Sequence, residues 1–418
     1  MRTLSEWLEL QESVHPKSID LDLARVAQVA DVLGLRPVPY AVITVGGTNG
    51  KGSTVAHLVA LCAALGVRTG AFTSPHLLRY NERIRIAGRE ADDAELIEAF
   101  ERIESARGAT TLTFFEYNAL AALLVFAAQG IEAAVLEVGL GGRLDATNII
   151  DADAAVLTSV GMDHRDYLGD DLESIGREKA GIFRRGRPAV LGSGAMPASV
   201  FAAISASGAC PLIAEQDFTW RLQGARWSYA GRGEYSNLPP SALPGAIQYR
   251  NAASAIAALE ALELPLRLDR ELISNALEEV RLPGRFQIFP GPVEWILDVA
   301  HNEPAARVLA LHLAEHRPAG RTWAVTSILR DKDVAGIGAA LAKQIDSWIL
   351  CTLPGVRGSQ ASELASRLAP VIHAPVELAN SIAEGCALAR AEARPGDRVL
   401  VFGSFPAVGS ALEWLGLY

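Results

Sequence analysis

Short β-branched apolar runs alternate with stretches of helical periodicity through most of this sequence, and that rhythm constrains the fold more than any other feature. Tyr40–Val45, Arg68–Phe72, Ala133–Val138 and Ala154–Val160 are too short and too uniformly apolar for surface helices. Between them lie helical stretches at Ser53–Leu65, Asp92–Arg107 and Phe114–Ala128, the second ended by Gly108. A strand that is apolar on both faces must be covered on both, so the expectation is an α/β fold with a mostly parallel sheet between helices. Phe218–Tyr235 breaks the rhythm by mixing Thr219, Trp220, Trp227 and Tyr229 with polar residues and glycines. That stretch predicts a small antiparallel excursion. Helices follow at Tyr249–Leu262 and Arg270–Val280, and then two Pro/Gly clusters, Leu282–Arg285 and Pro290–Pro292. These clusters mark the strongest boundary in the chain. Strands beyond it fit Glu294–Val299, Thr322–Thr326, Ser347–Cys351 and Arg398–Phe402. The expected organisation is a larger domain over residues 1–287, a linker over 288–292 and a smaller Rossmann-like α/β domain over 293–418.

Charge and cysteine usage exclude several classes of function. With 38 basic against 48 acidic residues and a net charge of −10, no general basic face is available for nucleic acid or an anionic membrane. A polyanionic ligand would need a local cluster of cations and backbone amides. The longest apolar run, Ala119–Ala128, is half of what a bilayer requires. Met1–Trp7 contains Glu6 and no apolar core of a secretory signal. Cys62, Cys210, Cys351 and Cys386 form no CxxC pair, so buried thiols in a reducing compartment are expected. These features together predict a cytoplasmic protein with no membrane and no nucleic-acid partner.

The sharpest chemical signal is Val42–Ser53, in which a strand runs through Gly46-Gly47-Thr48-Asn49-Gly50-Lys51-Gly52-Ser53 into a helix. Glycines let successive amides converge on phosphate oxygens, and the helix N-terminus adds partial positive charge. Lys51 would reach the outer phosphates, and the Ser53 hydroxyl would cap the helix or serve Mg²⁺. The loop departs from the generic phosphate-loop pattern, with Val45 in place of the first glycine and Gly52 between lysine and hydroxyl. Glu137 closes another apolar strand at the sheet edge where α/β proteins place ligands. Either a hydrated Mg²⁺ offsets the burial of that carboxylate, or Arg143 does. The GxGG run at residues 139–142 has Leu144 where a dinucleotide fingerprint needs its last glycine. His164, in Gly161-Met162-Asp163-His164, follows the next strand and is either a metal or phosphate contact or a structural loop residue. Arg79, Arg83 and Arg85 make either a local anion patch or a solvated strand face. Thr113, Phe114, Phe115 and Glu116 match a capping box, with ligand contact ranked second. Asp298, His301 and Asn302 end the strand that opens the smaller domain, and Arg285 precedes it. No GxSxG nucleophile motif is present.

Taken in order, these motifs resemble the bifunctional dihydrofolate synthase/folylpolyglutamate synthase family, relatives of the Mur ligases. The resemblance runs from Leu4–Leu8 and His15–Leu21 through GTNGKGS (47–53), TSPHL (73–77), GLGGRLDATN (139–148), GMDH (161–164) and REKAGI (177–182). It continues through PGRFQ (283–287), DVAHN (298–302), RDKD (330–333) and GSF (403–405). It implies a phosphate-loop ATPase-type N-terminal domain and an ATP-driven amide ligase acting through an acyl phosphate. Dihydropteroate, reduced folates and L-glutamate would be the substrates, and the enzyme is expected to be a monomer. Carried over residue by residue, Thr48, Asn49, Gly50, Lys51, Gly52 and Ser53 would bind ATP phosphates, with Asn251, Arg285 and Asp298 also on ATP. Ser74, Glu137 and His164 would hold Mg²⁺ (two metal sites are expected), and a monovalent cation is a further candidate. Arg79, Thr113, Phe114, Phe115, Glu116, Leu144, Asp145 and Ala146 would border the pterin, and His301 would lie near glutamate. Lys179 matches the family's carbamylated lysine; without that match it reads as a solvent-facing lysine. Single-function folylpolyglutamate synthases share the core motifs. A cell-wall Mur ligase would need a further N-terminal domain, for which about forty residues before the phosphate loop are too few. A non-enzymatic nucleotide switch would bind ATP with no need for glutamate.

Overall fold

The structure, a computed structural model, describes residues 2–17, 19–262 and 267–417. Ser18, within the His15–Leu21 motif, lies outside the described residues. The chain forms two compact units, one of Met1–Ala242 with Gln248–Arg281 and one of Leu243–Ile247 with Leu282–Tyr418.

The first unit is built on eight strands: β1 (Ala41–Gly46), β2 (Thr69–Phe72), β3 (Ile84–Ile86), β4 (Arg89–Glu90), β5 (Ala133–Glu137), β6 (Ala154–Leu157), β7 (Pro188–Leu191) and β8 (Cys210–Ile213). Their order is β4-β3-β2-β5-β1-β6-β7-β8. β2, β5, β1, β6, β7 and β8 run parallel, and β3 and β4 form an antiparallel edge. β1 pairs with both β5 and β6, so the loops after these three strands emerge side by side at one edge. The helix Phe114–Gln129 is buried from Glu116 to Phe126, which explains why that stretch carries no polar face. It packs with Phe72, Leu136 and Phe100 in one core on one side of the sheet. A second core gathers Ile43, Val45 and Leu58 with the helix Ile247–Ala261.

The expected antiparallel excursion is a three-stranded sheet, β9 (Thr219–Gln223), β10 (Arg226–Ala230) and β11 (Glu234–Leu238). Glu260 ties it to the helix Ile247–Ala261 by accepting from Tyr229 Oη (2.8 Å), Tyr235 Oη (2.9 Å) and the Gly233 amide (2.9 Å). The second unit carries β12 (Gln287–Phe289), β13 (Glu294–Asp298), β14 (Thr322–Thr326), β15 (Ser347–Cys351), β16 (Val376–Ala379) and β17 (Arg398–Phe402). Their order is β12-β13-β17-β14-β15-β16, parallel except for β12.

Three features differ from expectation. The stretch read as a linker contains part of β12, which pairs with β13 through Gln287↔Leu297 and Phe289↔Trp295. Backbone pairing therefore draws Leu282 onward into the second unit, whereas the Pro/Gly clusters mark only where turns occur. The edge strands β4, β8, β12 and β16 and their inner neighbours β3 and β7 are short, and several carry polar or exposed residues that blur the apolar signal. Cys210 lies exposed on edge strand β8, unlike buried Cys62, Cys351 and Cys386. Among the described residues no helix is long and apolar enough to cross a membrane.

Removing the Glu260 carboxylate takes the acceptor from Tyr229 Oη and the Gly233 amide, while Tyr235 Oη keeps only Leu268 O (3.2 Å). Glu260→Ala should lower the unfolding free energy of the first unit by about 2–4 kcal/mol. Chemical denaturation checks this, and limited proteolysis should show faster cleavage within residues 219–238.

Candidate active site

The phosphate loop is built by its neighbours after β6 as much as by its own glycines. The Thr48 amide donates to the Ser159 carbonyl (2.8 Å), and Thr48 Oγ1 both donates to Gly161 O (3.1 Å) and accepts from the Gly161 amide (2.9 Å). Asn49 is held by its amide on Ser159 Oγ (3.0 Å) and by its carbonyl, which accepts from Thr158 Oγ1 (2.8 Å) and Ser159 Oγ (2.9 Å). These hydroxyls also explain why β6 stops at Leu157, short of the expected Val160. Gly47 (φ 140°) admits no side chain, because a Cβ there would sit 2.0 Å from Thr158 Oγ1. The helix starts at Lys51 after Gly50 (φ 90°), so Ser53 lies buried inside the first turn and does not cap it. Asn251 approaches the same loop, its Oδ1 3.0 Å from where a Gly50 Cβ would stand.

Two lysines meet on one carbonyl. Lys51 Nζ donates to Gly47 O (3.1 Å) and Thr48 O (3.4 Å), and Lys179 Nζ donates to the same Gly47 O (3.2 Å). Lys179 is 4% exposed, which overturns the solvent-facing reading. Burial, reinforced by the charge of Lys51, pushes its pKa from 10.5 down to about 7, with Asp163 and Asp145 opposing. The helix Leu172–Ala180 that carries it presses against the loop after β5, where a Gly142 Cβ would meet the Lys179 carbonyl at 2.7 Å. The Arg143 amide donates to Glu178 O (2.8 Å), and the Arg143 side chain pairs with the Glu178 carboxylate (2.9 Å). Arg143 is thus committed to Glu178, which removes it as the alternative partner of Glu137.

Glu137 ends β5 with 4% exposure, and its Oε2 accepts from the Ser74 amide at 3.2 Å. His164 follows β6 in the left-handed region (φ 51°) and caps the short helix Arg165–Leu168. Its amide donates to Asp163 Oδ1 (2.9 Å). Among the described residues, no three His, Cys, Asp or Glu side chains gather as a metal cage. The Glu137 carboxylate and the Ser74 hydroxyl are oxygen donors at a sheet edge beside a phosphate loop, which suits Mg²⁺, a cation that keeps waters and shares phosphate oxygens, better than a metal needing a full protein cage.

The arginines divide. Arg79 is 62% exposed at its side chain and pairs with Glu90 (2.9 Å), as does Arg85 (3.2 Å). Arg83 is buried, donates from Nε to His76 Nδ1 (2.8 Å), and lies over the Tyr80 and Phe114 rings. Its neighbours Tyr80, Glu82 and Glu137 counter a burial that pushes its pKa down. Thr113 and Glu116 form the expected capping box. Burial raises the Glu116 pKa, and Arg25 supplies a counter-charge at 3.1 Å. Arg25 also holds Asp20 (2.9 Å), and His15 bridges Asp20 (3.1 Å) and Thr111 (2.9 Å). No motif in the sequence singles out Arg25, although its place just after Asp20 is a usable signal. Phe115 packs on Phe72 and fills the space above Gly139, where a Cβ would come within 2.5 Å of its ring. Buried Asp145 accepts from the Leu140 amide (2.8 Å) and from Thr147 Oγ1 (2.7 Å), fixing the loop that carries Leu144 and Ala146.

In the second unit, β13 and β17 pair Asp298 with Phe402, which sets the DVAHN and GSF motifs side by side. Asp298 accepts from the Phe286 and Ala300 amides (2.8 Å each). Burial pushes its pKa up, and Arg285 opposes. His301 Nδ1 donates to Val299 O (2.9 Å). The Arg285 guanidinium stands 5.4 Å from the Phe405 ring centroid, and the His301 ring stands 6.0 Å from it. Asn302 and Ser404 cap the helices that follow.

Residues 45–193 match the Mur ligase middle domain, and residues 284–405 match the Mur ligase glutamate ligase domain. The chain is therefore a ligase of the Mur class. It is similar to the dihydrofolate synthase/folylpolyglutamate synthase of Escherichia coli strain K12, with 42% identity over 98% of this chain and 95% of the relative. Among solved structures it resembles E. coli FolC in complex with DHPP and ADP (41% identity, TM-score 0.94, covering 99% and 98% of the two chains). It also resembles the Yersinia pestis bifunctional folylpolyglutamate synthase/dihydrofolate synthase complexed with AMPPNP and Mn (42%, TM-score 0.92, 100% and 99%). The chain belongs to the dihydrofolate synthase/folylpolyglutamate synthase family.

The depressed pKa of Lys179 has a signed consequence for stability. Between pH about 7 and 10.5 the unfolded chain binds a proton at this lysine that the folded chain does not, so stability rises with pH across that window. Below pH 7 both states are protonated and the difference is constant. In CO₂-free buffer, the stability difference between Lys179→Met and wild type should favour the variant at pH 7 and shrink towards pH 10, as measured by chemical denaturation.

Proposed function

We propose that this chain joins L-glutamate to dihydropteroate, and to the γ-carboxyl of reduced folates, at the expense of ATP. The convergence of Lys51 and Lys179 on the Gly47 carbonyl carries this reading. The Lys51 ammonium beside a glycine-shaped loop at a helix N-terminus forms a site that an anionic group balances, and Lys179 converges on the same carbonyl. Family membership and the glutamate ligase domain supply the identity of the anion and of the incoming amine.

In this mechanism the substrate carboxylate attacks the γ-phosphorus of ATP and ADP leaves, giving an acyl phosphate. The glutamate amine then attacks the acyl carbon, a tetrahedral intermediate collapses, and phosphate departs with one oxygen of the original acid. Both steps join or separate anions, so positioning and charge neutralisation do most of the catalysis. Thr48 to Ser53 hold the phosphates through amides, with Lys51 on the transferred group. Asn251, Arg285 and Asp298 contact the nucleotide. Ser74, Glu137 and His164 would hold Mg²⁺, which when bound screens phosphate charge. Arg79, Phe114, Phe115, Leu144 and Ala146 border the pterin, while Thr113, Glu116 and Asp145 shape that border through the hydrogen bonds described. His301 orients glutamate.

The finer chemistry of Lys179 follows from its environment. A lysine with a pKa near 7 offers the neutral amine that carbamylation by CO₂ requires, and the product is an oxygen ligand in place of a second cation. A monovalent cation and action as a monomer complete the proposal.

A panel of carboxylate substrates tests the assignment. With ATP, Mg²⁺ and glutamate, ADP release should depend on dihydropteroate or a reduced folate. Lys51→Ala and His164→Ala should each lose on the order of 10²-fold or more in kcat/KM. The rate should fall in CO₂-free buffer and recover with bicarbonate. Turnover of neither pterin, or undiminished rates in both variants, would reject the assignment.

A further inference from the structure

The phosphate-loop helix carries a buried histidine that none of the roles above uses. His57 lies one turn after Ser53 in the helix Lys51–Ala64 and is 1% exposed. Its Nδ1 stands 2.7 Å from the Ser53 carbonyl, an atom that can only accept, so Nδ1 bears the proton and donates. Burial keeps the ring neutral, lowering its pKa to about 4. Nε2 is therefore a lone-pair acceptor, and the Ser241 hydroxyl donates to it at 2.9 Å. A single tautomer satisfies both bonds.

Ser241 belongs to a connection that is pinned on either side. The buried Trp227 indole donates from Nε1 to Pro239 O (2.7 Å), and the Ala242 amide donates to Leu277 O (2.8 Å). A few residues later the helix Ile247–Ala261 begins, and its Asn251 stands against Gly50 of the phosphate loop. The chain thus touches the phosphate-loop helix at His57 shortly before it delivers Asn251 to the loop itself.

We propose that His57 is a positioning residue for nucleotide binding: bridging the Ser53 carbonyl and the Ser241 hydroxyl, it fixes the first turn of the phosphate-loop helix against the connection that sets Asn251 beside Gly50. His57 acts through these groups without touching substrate. The inference rests on the ligase reading for the identity of the nucleotide.

The test compares His57→Leu, Ser241→Ala, Ser241→Thr and the His57→Leu/Ser241→Ala double variant. The dissociation constant of AMPPNP with Mg²⁺ is measured by calorimetry, alongside KM values for ATP and glutamate. His57→Leu and Ser241→Ala should each weaken AMPPNP binding and raise the KM for ATP about tenfold, with the KM for glutamate changed less than about twofold. Ser241→Thr, which keeps the hydroxyl, should restore binding, and the double variant should bind no more weakly than His57→Leu alone. Wild-type affinity in Ser241→Ala, or additive losses in the double variant, would overturn the inference. If His57→Leu fails to fold, the Ser241→Ala and Ser241→Thr pair still decides it. Wild-type protein that binds AMPPNP but forms no amide would reject the ligase reading alone, and protein that does not bind it would reject both.

Discussion

The Gly47 carbonyl receives hydrogen bonds from the Nζ groups of two lysines, and much of the surrounding structure holds that arrangement in place. Like charges repel, and one of the two sits out of water, so burial and repulsion together drive Lys179 towards its neutral form. The arrangement persists because both lysines are anchored by rigid parts. Lys51 opens a helix whose preceding loop is laced to Thr158, Ser159 and Gly161. Lys179 rides on a helix pressed against the Gly139–Gly142 loop, where glycine leaves room for a backbone approach no side chain permits. An anionic ligand balances the charge of Lys51, so binding energy and positioning come from the same groups.

This logic matches chemistry that needs no protein nucleophile. The reacting partners are a carboxylate and a phosphoryl group, both negative, and bringing them into contact requires neutralisation before it requires bond-making skill. The parallel sheet supplies the geometry, since β1, β5 and β6 deliver the phosphate loop, Glu137 and the His164 loop to one edge in register. Ser74 joins them from β2, the neighbour of β5.

The central strands and their helices were legible in the sequence because burial on both faces leaves an apolar run with clean ends, as at Thr322–Thr326 and Arg398–Phe402. The capping box at Thr113–Glu116 was legible for a similar reason, since its spacing is set by one helical turn. Short edge strands such as β4 and β8 were not, because an exposed strand needs no periodicity to pair. The partner of Arg143 was also hidden. Glu178 lies 35 residues away, and only the close packing of Gly142 and Gly181 brings the two segments together. The burial of Lys179 was likewise invisible locally, because the sequence around it carries charged Arg177 and Glu178 and gives no sign of an interior position.

The substrate acid is activated by taking the terminal phosphoryl group of ATP. Labelling the dihydropteroate carboxylate with ¹⁸O and analysing the released inorganic phosphate tests it directly. One labelled oxygen should pass into phosphate for each amide formed. Phosphate released without label, while amide accumulates, would contradict activation through an acyl phosphate.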